Sequence, residues 1–126
     1  MRQAVAISKV QSLDVRPLSR LFKALGDETR LRIVALLTHG EFCVCHVEVA
    51  LGLQQANVSR HLGVLRNAGI VETRRDGNWV YYRLVNHADP DCDRQLRALA
   101  EGFLGHEVLR KDVARLRKAV GPAACR

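Results

Sequence analysis

The sequence has no apolar run approaching the roughly 20 residues needed to cross a bilayer. Its first residues, MRQAVAISKVQSLDVRP, contain no continuous apolar stretch of the kind a secretory signal carries. Neither a membrane protein nor an exported one is expected, and the reading is of a chain working in a reducing cytoplasm. Its four cysteines, Cys43, Cys45, Cys92 and Cys125, should then be thiols rather than a disulfide framework. Signatures of catalysis are missing as well. There is no G-x-S-x-G and no P-loop. The paired cysteines lack C-x-x-C spacing, no strand is expected before Cys43 and no βαβ pattern exists, which argues against a thiol oxidoreductase. No internal repeat or low-complexity segment occurs. Acid is scarce: 13 Asp and Glu stand against 20 Lys and Arg, a net charge of +7. Such an excess suits a polyanionic partner, most often nucleic acid.

What is present is one globular domain's worth of chain, 126 residues of which 48% are hydrophobic. Residues 1–14 show weak periodicity and are expected to be a flexible N-terminal arm, residues 15–120 the folded domain, and residues 121–126, after Gly121-Pro122, a flexible tail. Pro17 suits the first turn of a helix whose apolar face is Leu18, Leu21, Phe22 and Leu25. Asp27 is a good N-cap for the next helix, with Glu28 complementing its dipole. The apolar run from Leu31 to Leu37 makes that helix central. Glu41 to Ala50 reads as a short helix. Gly52 turns the chain into Gln54–Asn67, a helix whose Val58, Leu62 and Leu65 must face the core. Asp76-Gly77 between two β-prone runs, Ile70–Arg75 and Asn78–Leu84, signals a hairpin. Asp89-Pro90 starts a further helix with a stripe of Leu96, Leu99, Ala100 and Phe103. A last helix carries Leu109, Val113, Leu116 and Val120, a stripe suited either to a dimer partner or to its own domain.

Helix, helix, short helix, Gly turn, helix, hairpin is the order of a winged helix-turn-helix: mainly α, with a β-hairpin wing. The second helix of the pair would enter the major groove, where Gln54, Gln55, Asn57, Ser59, Arg60, His61 and Arg66 form a polar, acid-free face able to meet base edges. Arg74 and Arg75 on the wing would lie on phosphates.

At these residues the chain resembles the ArsR/SmtB metalloregulatory repressors, from about Leu18 to Leu84. The resemblance rests on LFKALGDETRLRIVALL, on EFCVCHVEVALGLQQANVSRHLGVLRNAGIVETRRDGNWVYYRL, and on their order. It implies a homodimer that binds a palindromic double-stranded operator, represses the genes downstream and is released when a metal or metalloid binds. Where the family often has Ser at the start of the recognition helix, this chain has Gln54, a poorer N-cap.

Cys43-Val44-Cys45 is read as lying at the first turn of the short helix that supports the recognition helix, a position that favours thiolates and soft ions. On a regular helix, residues two apart point about 200° apart, so two thiolates could grip one ion only by unwinding that turn. The arsenite-responsive branch of the family resembles Cys-Val-Cys-Asp-Leu-Cys here; this chain has Cys43-Val44-Cys45-His46-Val47-Glu48. The resemblance thus implies Cys43 and Cys45 as ligands for As(III) or Sb(III). Glu48 replaces the third thiol; Cys92 or Cys125 is the candidate to supply it, with two-thiol binding completed by a non-protein ligand as the alternative. His46 reads as a surface residue or a supporting donor. The cadmium- and lead-sensing branch adds N-terminal cysteines, which residues 1–42 lack. The zinc-sensing branch uses Asp-x-His on the last helix, which His106, Glu107 and Asp112 do not form. The expected function is a resistance-operon repressor released by trivalent arsenic or antimony; the alternative is a thiol redox-sensing or cadmium-, lead- or zinc-sensing repressor of the same fold.

Overall fold

The computed structural model describes residues 14–120. Helix α1 is Arg16–Leu25, with Pro17 in its first turn. Helix α2, Glu28–Leu37, starts where the Asp27 side chain accepts a hydrogen bond from the Arg30 amide, as its sequence predicts. Strand β1 is Phe42–Cys43, α3 is Val44–Leu51 and α4 is Gln55–Asn67. Strands β2 (Val71–Asp76) and β3 (Trp79–Leu84) form the wing. Helix α5, Pro90–Gly102, is capped by Asp89, whose carboxylate accepts from the amides of Asp91 and Cys92. A 3-10 turn at Phe103–Gly105 leads to α6, Glu107–Ala119. No helix among the described residues is long and apolar enough to cross a membrane.

The core lies where α1, α2, α3 and α4 meet, with Leu21, Ile33, Leu36, Val47, Val58, Leu62, Leu65 and Ile70 fully buried. The 4 and 3 spacing of Val58, Leu62 and Leu65 therefore does what helical periodicity demands. Phe22 departs from its expected place and is 50% exposed; Leu21, Ala24 and Leu25 carry the buried face of α1 instead. The last helix packs on its own domain, against α3 and α2, with Leu109 and Leu116 buried and Val120 exposed.

Two local expectations are corrected. The hairpin turn lies one residue further on than Asp76-Gly77. Asp76 pairs with Trp79, so the two-residue loop is Gly77-Asn78, and the positive φ (62°) falls at Gly77, with no positive φ at a non-glycine residue among the described ones. Glycine leading the loop fits a type II′ turn, which needs the left-handed conformation at one residue only. The second correction is larger. Phe42 and Cys43 are not helical: they pair antiparallel with Tyr82 and Tyr81 of β3, giving a three-stranded sheet of order β1-β3-β2. A strand thus does precede α3. Its cause is distant: β3 supplies backbone partners across almost 40 residues of chain, which no local helix signal registers.

Candidate nucleic-acid interface and thiol site

Burial of one face of α4 fixes its rotation and leaves Gln55, Ser59, Arg60 and Arg66 exposed. Asn57 is half-buried, and its Oδ1 accepts from Arg60 Nη2 at 2.8 Å, so the guanidinium is held by a side chain one turn back. Gln54 is the N-cap residue, extended and with no side-chain capping bond, as expected of Gln. His61 does not join the outward face. It is only 14% exposed, with Nδ1 3.2 Å from Arg30 Nη1 and 3.6 Å from Asp27 Oδ2, and it ties α4 to the start of α2. Helical geometry explains this: His61 is next to the buried Leu62 and turns toward the α2 side.

The wing cations differ from one another. Arg75 is exposed near the hairpin tip. Arg74 is engaged: its Nε donates to both Glu41 carboxylate oxygens at 3.0 and 3.2 Å, and its guanidinium stacks 4.8 Å over the Tyr81 ring. The Arg74 cation holds the Glu41 carboxyl below its ordinary range. A phosphate would have to compete with Glu41 for Arg74, so Arg75 is the more available of the pair.

The thiols are arranged differently from the sequence expectation. Cys43 is the N-cap of α3, extended (φ −85°, ψ 168°), and Cys45 lies in the first turn. Because Cys43 is outside the helix, the 200° separation does not apply, and the two Sγ atoms stand 2.8 Å apart. Both thiols converge without any unwinding of α3. His46 joins them. Its Nδ1 lies 3.4 Å from Cys43 Sγ and accepts from the Cys43 amide, also at 3.4 Å. The Phe42 ring meets the imidazole edge-on, centroids 5.9 Å apart at 85°. Burial lowers the His46 pKa, which favours the neutral imidazole, the form that offers a lone pair. Among the described residues, Cys43, Cys45 and His46 are the group of three donors whose ligating atoms lie within 4.8 Å of one another. Such a donor set fits a soft or borderline ion. Sequence reasoning saw His46 as peripheral; the signal it lacked was that position 43 caps the helix, which puts the third residue of the first turn beside it.

Cys92 is not brought to this group. It is fully buried in the core cluster, and burial, with Asp89 and Asp91 adding to it, pushes its thiol up rather than down. Its place in the first turn of α5 therefore does not yield the low-pKa thiolate that the sequence suggested, because burial and the Asp89 and Asp91 carboxylates favour the neutral thiol. Cys125 lies outside the described residues. A raised folded pKa binds the Cys92 proton more tightly in the folded state. Its stabilising effect is thus complete below the unfolded thiol value and is lost as pH rises through the higher folded one. Urea midpoints measured upward from about pH 9 are therefore expected to fall less steeply in Cys92→Ala than in the wild type; parallel alkaline limbs would contradict the assignment.

The thiol pair opens onto a cleft of about 520 Å³. Cys43, Val44, Cys45 and Glu48 form one wall, Gln55 and Ser59 of α4 a second, and Asn78, Trp79, Val80 and Tyr82 of the wing a third. The three parts that would read DNA or sense a ligand thus share one small space.

The chain matches the family model described as bacterial regulatory protein, arsR family, over residues 27–73. It is 41% identical over 110 residues to the arsenic resistance transcriptional regulator ArsR1 of Pseudomonas putida, covering 83% of this chain and 84% of that protein. It is 40% identical over 82 residues to the cadmium resistance transcriptional regulatory protein CadC of Listeria innocua, covering 64% of this chain and 69% of that protein. Among solved structures, a homodimeric winged helix-turn-helix DNA-binding domain from Mycobacterium bovis, of a possible ArsR-family transcriptional regulator, superposes with a TM-score of 0.60. The two are 31% identical, and the alignment covers 79% of this chain and 93% of that one.

Proposed function

This chain belongs to the arsR family of bacterial regulatory proteins, and on that premise we propose that it represses a resistance operon and leaves its operator when trivalent arsenic or antimony binds the Cys43 and Cys45 thiolates. Members of the family are DNA-binding transcriptional regulators, not enzymes, and the fold here is a winged helix-turn-helix. On this reading the protein works in the cytoplasm as a homodimer on a palindromic duplex. Gln55, Asn57, Ser59, Arg60 and Arg66 meet the major groove and Arg75 meets a phosphate of the flanking backbone. Gln54, at the helix start, and Arg74, shared with Glu41, lie at the margin of that surface.

The observation that carries the reading is the shared cleft. The thiols on its wall face Gln55 and Ser59 of the reading helix and the β3 side of the wing. An ion on the thiols changes the space between two elements that must hold a fixed relation to engage groove and backbone together. Bound ligand thereby acts on the DNA-competent geometry directly, and its effect equals its differential affinity for the two arrangements. Cys43 adds a second link, because its strand pairs with Tyr81 in the middle of the sheet.

Operator release titrated with arsenite and antimonite tests this. Cys43→Ser and Cys45→Ser are expected to bind the operator as the wild type does and to stay bound at ligand concentrations that release the wild type. Release of either variant at wild-type concentrations would place the sensor elsewhere. The 2.8 Å approach of the two sulfurs also favours a second reading, in which a peroxide-class oxidant joins them. In that case hydrogen peroxide, and not arsenite, releases the DNA, and dithiothreitol restores binding.

A further inference from the structure

We propose that His46 is a third protein ligand of the Cys43–Cys45 site, making a Cys2His centre, complete within one protomer, for a divalent cation of the zinc class. This rests on reading the thiol pair as the sensing site, and adds to it a ligand and an ion class.

The geometry is already close to what such an ion needs. Zinc binds thiolate at about 2.3 Å and imidazole at about 2.0–2.1 Å in tetrahedral sites. Two sulfurs on one ion then stand about 3.8 Å apart, and sulfur and nitrogen about 3.6 Å. The Cys43 Sγ to His46 Nδ1 distance of 3.4 Å meets the second requirement within the play of a rotamer. The Cys43 to Cys45 distance of 2.8 Å must open by about 1 Å, a χ1 adjustment at two side chains facing a cleft. The nitrogen is aimed as well as near. Nδ1 faces the thiols, and Phe42 stands against the ring. Glu48 lines the same cleft as the two thiols, so water or that carboxylate would complete a tetrahedral set.

The competing role for His46 is a helix cap, since Nδ1 accepts from the Cys43 amide. That bond is 3.4 Å long, beyond the usual range for a firm N–H···N contact. An ion would take over the same lone pair at little loss. On binding, the two thiol protons leave to solvent, the neutral imidazole donates through Nδ1, and no electrons are transferred. Trivalent arsenic, which favours thiolates, uses Cys43 and Cys45 and gains little from the imidazole. The donor set therefore separates two ion classes at one place: the thiols serve both, and His46 serves the divalent one.

Cobalt(II) titration of the full-length reduced protein tests this by its visible spectrum, with zinc competition giving affinities. The wild type is expected to take up one ion per chain with sulfur-to-cobalt charge transfer and the strong d–d bands of a tetrahedral site. In His46→Asn, which keeps a short acceptor for the cap, zinc affinity is expected to fall by more than the about 10–100-fold seen for loss of a supporting partner, with charge transfer retained. Equal affinity and spectrum in the two proteins would overturn the proposal. X-ray absorption of zinc-loaded wild type does not depend on how the variant folds. Two sulfurs and an imidazole are expected, and absence of imidazole scattering would overturn it. Arsenite release of operator DNA on the same proteins separates the two readings. Release lost in Cys43→Ser, with zinc binding indifferent to His46, retains the arsenic sensor and rejects the His46 ligand. Release intact in Cys43→Ser, with zinc binding lost in both variants, does the reverse.

Discussion

Replacing Asp112 by alanine is expected to destabilise the fold by about 3–5 kcal/mol, the cost typical of leaving a buried charge without its partner. Asp112 is only 1% exposed. Its two carboxylate oxygens accept from Arg32 Nε at 2.9 Å and Nη2 at 2.8 Å, a bidentate pair joining α6 to α2. Arg115 Nη2 donates to the same carboxylate at 2.6 Å, while its Nε donates to the Ala50 carbonyl at 2.8 Å, and Arg32 Nη2 also reaches the Leu51 carbonyl at 3.4 Å. The carboxylate pushes the Arg32 guanidinium further up. Three helices are therefore bound at one point, and the two carbonyls belong to the end of α3, just before the turn at Gly52. Without Asp112, Arg32 keeps a charge in a mostly buried place and α6 loses its polar anchor. The thermal midpoint should drop by on the order of 10–20 °C for a domain of this size. Arg115 is about half exposed, so Arg115→Ala should cost far less, because solvent screens that pair. A joint replacement, Arg32→Met with Asp112→Leu, should recover most of the loss, since removing both charges ends the desolvation penalty. If Asp112→Ala melts with the wild type, the network does not hold α6 in place.

The second large effect is expected at Arg60. On the proposed reading it is one of two α4 cations, with Arg66, aimed at base edges, and it is held by Asn57 at 2.8 Å. A bidentate base contact discriminates by about 1–3 kcal/mol, so Arg60→Ala should weaken operator binding about 5–150-fold and relax sequence preference. Its midpoint of unfolding should not move, because the side chain is exposed. Arg75→Ala should behave differently. A phosphate contact carries no sequence information, so its loss should lower affinity evenly across sequences and reduce the salt slope by about one counterion. Fluorescence anisotropy on operator and scrambled duplexes, at several salt concentrations, reads both effects. Wild-type operator affinity in Arg60→Ala would remove it from the reading face, and a salt slope unchanged in Arg75→Ala would remove the wing contact. Arg74→Ala should do less than Arg75→Ala, because Arg74 already has Glu41.

The sequence by itself determined what depends on residues three or four apart or on simple totals. The caps at Asp27 and Asp89, the buried stripe of Val58, Leu62 and Leu65, the existence of the wing and the basic balance are of this kind. Each reports on its own turn of helix or its own strand. The tertiary structure decided what depends on partners far along the chain. Position 43 became extended because Tyr81 pairs with it, and that change turned two thiols expected to point apart into a converging pair with His46. Arg74 and His61 have partners within the chain because Glu41 and the Asp27–Arg30 corner engage them. Cys92 lies apart from the Cys43 and Cys45 thiols because the core closed over it. The physical reason is the same throughout. A periodicity fixes which face of an element is buried, but what a polar side chain meets at the edge of that face is set by the element packed beside it, and that element comes from elsewhere in the chain.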